Sequence, residues 1–414
     1  MRTTIVGAGV IGLSCAYELA AAGHDVTVVD AAAAGTGSSA GNAGWVTPVL
    51  ATPRAHPGVL TDAASSFFSK NGPARLHPHF DLGFASWVTQ FLRASTARRN
   101  NEGTAALQQL AARAVAAYDS LRERGVLFEE HTDGLAVVFK QQRGLEHFRQ
   151  VITRMRSLGY VGDVALHRGR EVAEFDPAIS SDVAGVLHVR AERHVRPETL
   201  THGLAQAFLD NGGTLIEGDG VRAIRAPGTG PWTTETAGGR EIVSDTVLVA
   251  AGIASTSLLR PMGVTLPMEA AKGTSMTAVG EGTVPRHPLK LYENMVACSP
   301  FGNSVRLSGT FDIGARDHVV NKDRLDMVIR HGLSYLQNWR PTRIEIRWVG
   351  HRPTTCDDLP VIGPVPGRPG LYVATGHGTL GVTLGPVTGA LVADEMSGTA
   401  VHNVLDPFRI TRFP

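Results

Sequence analysis

The chain has 414 residues, 43% of them hydrophobic and 19% charged, and its 39 Lys and Arg against 38 Asp and Glu leave a net charge of +1. This is the composition of a folded chain of two or three domains, and it excludes disorder as the main state. Near-neutrality argues against a nucleic-acid binder working through a strong basic field.

Thr3-Thr4-Ile5-Val6 is a β-branched run that leads directly into Gly7-Ala8-Gly9-Val10-Ile11-Gly12. A helical pattern follows from about Ile11 to Ala22, then an apolar run, Val26 to Val29, that ends at Asp30. Strand, glycine turn, helix, strand and acidic residue in about thirty residues form a dinucleotide-binding unit. Gly7 permits the tight turn, Gly9 lets backbone approach a pyrophosphate, and Gly12 lets the helix pack on the strand. The first N–H groups of the helix, at Val10 and Ile11, face the phosphates with the positive end of the helix dipole. Asp30 accepts ribose hydroxyls, and its charge disfavours a 2′-phosphate. The next segment, Gly35 to Gly44, contains Ser38, Ser39, Asn42 and Ala43. A small, polar loop running back towards the pyrophosphate suits FAD better than NAD.

Helical patterns follow at Phe84–Arg93 and Thr104–Arg124, then the strand-like run Leu135–Phe139. Arg93, Arg98 and Arg99 read as a solvated helix end, and His77-Pro78-His79 as loop. Pro197 starts a helix to about Leu209, Thr214–Glu217 is a strand, and Asp245–Gly252 is a buried strand ending in small residues. Gly228-Thr229-Gly230-Pro231 reads as a turn, and further strands, including Ser304–Leu307, occupy 263–345. Leu371–Thr375 is a strand, Gly376-His377-Gly378-Thr379-Leu380-Gly381 a loop, and Leu384–Met396 a helix whose N-terminus follows that loop. Cys15, Cys298 and Cys356 provide neither a disulfide framework nor zinc spacing, so no metal site is expected and the compartment reads as reducing. No signal peptide and no stretch of about 18 apolar residues is present, so no transmembrane segment is expected.

The opening motif, the loop Ser39-Ala40-Gly41-Asn42-Ala43-Gly44 and the stretch from Trp348 to Gly381 resemble the D-amino-acid oxidase superfamily of FAD enzymes. Within it, the chain is most similar to the bacterial small-subunit type of D-amino-acid dehydrogenase. The resemblance implies an α/β fold: a Rossmann-like FAD-binding domain (1–60, 191–262 and 346–414) interleaved with an antiparallel-sheet α+β substrate domain (61–190 and 263–345). It places Val221 over the adenine, Ala251 and Gly252 at a second close approach to the dinucleotide, and the Gly376–Gly381 loop at the N1–C2=O side of the flavin. Arg352 matches the arginine that grips a substrate carboxylate, for which a planar guanidinium fork is well shaped; an ion pair with Asp357 or Asp358 is the rival reading. His351 stands where the family usually has leucine, either shaping the pocket or simply packed. Tyr292 falls near a family segment with substrate contacts, and His377 reads as a flavin-loop residue before a general base. Val382 replaces a usual tryptophan. The covalent-flavin position of related enzymes falls near Gly350 and away from Cys356, so FAD is expected without a covalent bond.

The activity implied is dehydrogenation of an amino or imino acid, a D-amino acid favoured and a cyclic one allowed, by hydride transfer from the α-carbon to flavin N5. The alternatives are a glycine- or sarcosine-type oxidase using oxygen, and an FAD-binding subunit of an electron-transfer complex. Electrons then leave to a quinone, a protein or oxygen. The expected location is cytoplasmic, with a peripheral place on the inner face of the membrane left open.

Overall fold

The computed structural model describes residues 1–59, 72–225 and 230–413. Two large sheets organise it. The first has six strands in the order Thr214–Ile216, Asp25–Val29, Arg2–Val6, Thr246–Val249, Leu371–Thr375 and Val361–Pro364. The first five run parallel and the last antiparallel. Parallel strands are covered on both faces, which is why they read as continuous apolar runs. Ile5, Val28 and Leu248, aligned across the three central strands, are fully buried.

The first helix, Val10–Ala21, packs between the helices Pro197–Asp210 and Gly381–Ser397. Contact with the last is close enough to require glycine. A Cβ on Gly389 would stand 2.6 Å from the carbonyl carbon of Ser14. On the opposite side, a three-stranded antiparallel sheet, Val221–Arg225, Trp232–Thr236 and Glu241–Ser244, shares a core with Leu259, Met262 and Val365. The expected turn at Gly228 and Thr229 lies outside the described residues.

The second large sheet has nine strands. Its main path runs Arg340–Thr355, Met268–Glu281, Ser304–Ile313, Val296–Phe301, Leu289–Leu291, Leu135–Phe139, Gly185–Val189 and Val164–His167, with Ala74–Leu76 added beside Ser304–Ile313. Most pairings are antiparallel; Leu289–Leu291 with Leu135–Phe139, and Ser304–Ile313 with Ala74–Leu76, are parallel. Two sequence expectations need correction. The boundary at 346 falls inside the strand Arg340–Thr355, which pairs with Met268–Glu281 along its whole length. The helix expected over Thr104–Arg124 is two helices, Ala97–Ala111 and Ala114–Glu123, because the chain turns at Ala112 and Arg113.

One residue joins the two layers. Arg306, on the second sheet and 1% exposed, donates from Nη1 to the carbonyls of Ala40 (3.0 Å) and Asn42 (2.9 Å). Its Nε donates to Thr277 Oγ1 at 2.9 Å, and Nη2 pairs with Glu198.

Gly389→Leu is expected to overpack the joint between the first and last helices and destabilise the protein by about 1–3 kcal/mol or more. Thermal unfolding should show a clearly lowered Tm, whereas Gly230→Ala, with open space around its Cβ and no left-handed backbone, should move it far less.

Candidate active site

The glycine turn is built by steric demand. Gly7 has φ +107°, and a Cβ there would lie 2.6 Å from the carbonyl oxygen of Ala250. A Cβ on Gly12 would sit 1.9 Å from the Gly7 carbonyl oxygen, so Gly12 serves helix packing and does not face the ligand. Gly9 has only Ser39 Oγ, at 3.5 Å, near its absent side chain. Between them opens a cleft of about 610 Å³.

Gly7, Gly9, Val10, Ile11, Asp30, Ser38, Ser39 and Asn42 line the cleft, as do Val221, Ala251, Gly252, Gly376, Gly378 and Gly381. Val10 N–H donates to Ser39 Oγ at 3.0 Å. The Asp30 carboxylate accepts from Ala8 N–H (2.7 Å) and Ala32 N–H (2.9 Å), leaving acceptor capacity on each oxygen. The helices Val10–Ala21 and Gly381–Ser397 both begin at the cleft, and neither N-cap residue supplies a side-chain cap. Two helix N-termini that lack a side-chain cap from their own N-cap residue, a bare glycine turn and a carboxylate facing one cleft fit a dinucleotide carrying an anionic pyrophosphate.

Four other expected cofactor residues do not line the cleft. Ala43 gives its carbonyl to Ser299 Oγ, and Gly44, at φ +79°, is pressed against the carbonyl of Val195. Thr379 Oγ1 accepts from Arg54 Nη2 at 3.3 Å, and Leu380 packs against the first core. Gly220 and Thr36, from the segments expected at the adenine and the pyrophosphate, line it too, and so does His318, which sequence reasoning overlooked. Gly220 carried a signal: it directly precedes Val221, and a Cβ there would meet Ala31 at 2.6 Å.

The strand Arg340–Thr355 carries the substrate-side candidates past the cleft. Val349, Gly350, His351 and Pro353 line it. Arg352 extends over Gly273, where a Cβ would lie 2.3 Å from its Nη1. That Nη1 donates to Thr310 O at 3.0 Å. Thr310 is held at φ +60°, beside a register irregularity in the pairing of Met268–Glu281 with Ser304–Ile313; bulges and strained backbone of this kind re-aim groups at functional sites. Arg352 pairs with neither rival acid. Asp357 is held by Arg412, and Asp358 accepts the backbone N–H of Arg54 at 2.7 Å. Burial, helped by the neighbouring charge of Arg54, lowers the Arg352 pKa to about 9.

Burial also acts on the histidines. It lowers His377 to about 3, so the ring is neutral. His377 Nε2 contacts Thr388 Oγ1 at 3.1 Å, while Nδ1 is buried without a partner. His351 is lowered by burial and then by His318, whose ring lies 4.4 Å away edge-on; its Nε2 is also unpartnered. Tyr292 requires correction. Its hydroxyl bonds His147 at 2.6 Å and its ring packs on Phe139 and Phe148, under the helix Gln142–Ser157 and away from the cleft. Cys356 is buried, its thiol directed to Gln90, and does not line the cleft.

A sequence profile of the FAD dependent oxidoreductase (DAO) family matches residues 2–395. The chain belongs to this family. A D-amino acid dehydrogenase of Cereibacter sphaeroides is 30% identical over 405 residues, covering 97% of this chain and 92% of that protein. One from Methylobacterium radiotolerans is 30% identical over 430 residues, with 100% of both chains covered. The solved structure of glycine oxidase from Geobacillus kaustophilus superposes with a TM-score of 0.78 at 24% identity, over 100% of this chain and 99% of that one. The protein is thus an FAD-dependent oxidoreductase with the α/β fold of its family. No helix among the described residues is long and apolar enough to cross a membrane.

Asp30→Ala removes charge-assisted hydrogen bonds worth about 1.5–3 kcal/mol each. It should purify partly as apoprotein, with FAD affinity weakened at least tenfold by flavin-fluorescence titration. Unchanged affinity would place the ribose elsewhere.

Proposed function

We propose that this oxidoreductase dehydrogenates an amino or imino acid at the carbon bearing nitrogen, with D-amino acids preferred. The observation that carries this reading is Arg352: a partly buried guanidinium with no carboxylate partner among the described residues, two residues from cleft-lining Gly350. A cation withdrawn from water without a counter-ion is costly unless a ligand supplies one. A substrate carboxylate does so, and two parallel hydrogen bonds to the planar fork orient the α-carbon. The names of the full-length relatives agree with such a substrate.

FAD, when bound, supplies a two-electron acceptor for the α-hydrogen. Asp30 holds its ribose, the glycine turn and Ser39 its pyrophosphate, and the N-terminus of Gly381–Ser397 directs a positive dipole end at the cleft. Without covalent attachment at Gly350 or Cys356, acid precipitation should release all yellow colour into the supernatant. His351 and His377 are neutral at pH 7 and so add no charge to the site. A substrate amine that binds neutral needs no protein base, and the imino product then hydrolyses to a 2-oxo acid or persists as a cyclic imine. Dye reduction without hydrogen peroxide would make the enzyme a dehydrogenase; hydrogen peroxide formed at the rate of substrate loss would make it an oxidase.

Arg352→Leu should lower kcat/KM for amino acids by about 2–5 kcal/mol of transition-state binding. Arg352→Lys, which keeps charge but loses the fork, should fall less. Both should keep normal FAD content, and an amine without a carboxylate should be nearly indifferent to either change. Steady-state kinetics with retained activity in Arg352→Leu would move the carboxylate site elsewhere.

A further inference from the structure

Arg352 is not the sole cation at this place. Arg54 reaches the same spot from the segment after the cofactor loop. Its guanidinium carbon stands 4.0 Å above the centre of the Phe311 ring, and that of Arg352 stands 5.8 Å from the same centre. The only side-chain hydrogen bond of Arg54 among the described residues is the 3.3 Å contact to Thr379 Oγ1. Lys290 adds a third charge. Its register through Ala297 to Ser308 puts it on the sheet face that carries Arg306. Its ammonium has neither a hydrogen bond nor an ion pair among the described residues.

The acids nearby, Asp358 beside Arg54 and Asp312 beside Arg352, offset these charges only in part. Asp312 is held on both oxygens by Arg324, at 3.2 and 2.5 Å. Asp358 uses one oxygen on the Arg54 backbone N–H and forms no ion pair within 4 Å of any of the three cations among the described residues. Three cations therefore converge near one partly buried acid. Burial and mutual repulsion act as expected: Lys290 is lowered to about 8 by burial and then by Arg54, while burial raises Asp358 to about 6. With Asp358 ionised near neutral pH beside Arg54, one substrate carboxylate on Arg352 still leaves one of the three positive charges uncompensated.

We propose that this cluster of cations, beside the cleft, is built for a substrate with two acid groups, Arg352 taking the α-carboxylate and Arg54, backed by Lys290, a second carboxylate at the far end of the molecule. This rests on the amino-acid-oxidising reading above. Both guanidinium groups gather at one aromatic ring, so a short chain with a carboxylate at each end can engage both. Phe311 offers its ring face to both cations. Lys290 raises the local potential without needing to touch the ligand.

The test uses the flavin-loaded enzyme. Anaerobic flavin bleaching and kcat/KM are measured for aspartate against asparagine and glutamate against glutamine, each as D and L forms. Wild type should prefer an acid over its matched amide by on the order of tenfold or more. Arg54→Gln should erase that preference by losing activity on the acid alone, whereas Arg352→Leu should lose both. As a readout independent of turnover, glutarate should perturb the flavin spectrum at concentrations roughly tenfold or more below butyrate, a comparison that needs no variant. Equal use of acid and amide, or bleaching by neutral amino acids only with glutarate no tighter than butyrate, overturns the second-carboxylate proposal and leaves the amino-acid reading standing. Bleaching by none of these or by any neutral amino acid overturns both.

Discussion

The guanidinium of Arg306 is the tie on which the arrangement of the two sheets depends. It sits on one sheet and spends its donors on the loop and helix of the other: two carbonyls of the Gly-Ser loop, at Ala40 and Asn42, and the Glu198 carboxylate. That loop is rich in glycine and has little side-chain surface to hold it. Without the arginine, two buried carbonyls and a carboxylate would lose their partner, and removing one member of such a set costs more than the set contributes. Ser39 can meet the N-terminus of the first helix only because the loop is held there.

The electrostatics of the site divide into two regimes. At the end of the cleft proposed for the pyrophosphate, the groups on offer are neutral dipoles: helix N-termini, glycine N–H groups and a serine hydroxyl. At the substrate end, full charges dominate, carried by Arg352, Arg54 and Lys290. The histidines between them are neutral because burial disfavours their cationic form. The site's positive charge therefore comes from two arginines, which stay protonated near pH 7, and from Lys290, which loses its proton as the pH rises through about 8, and not from imidazoles.

The cofactor half was legible in the sequence because its determinants are local. Gly7, Gly9, Gly12 and Asp30 lie within one strand–helix–strand unit, and each spacing has a mechanical meaning. The substrate half was only partly legible, because its residues meet through the sheet. Arg54, Lys290, Phe311 and Arg352 come from four separate segments, and nothing in their local patterns announces that they converge. Tyr292 illustrates the opposite error: it follows the strand Leu289–Leu291, but a helix covers that end of the sheet and takes the ring into its own aromatic cluster. The long strand Arg340–Thr355 hid its extent because it lies at the sheet's edge and alternates poorly between buried and exposed residues.

That same strand acts as a ruler. Trp348 lies against Gly41 of the cofactor loop, Gly350 borders the cleft, and Arg352 holds the position proposed for the carboxylate, all at two-residue intervals along one covalently fixed rod. The offset between cofactor and carboxylate anchor is thus set by backbone geometry, not by a hinge. No rigid-body swing of one sheet against the other can lengthen it without unzipping the pairing with Met268–Glu281. With Arg54 and Lys290 in the role proposed for them, a lineage that altered either on its separate segment would change which molecules are accepted while leaving the reaction distance untouched, so the enzyme's chemistry and its menu could evolve separately.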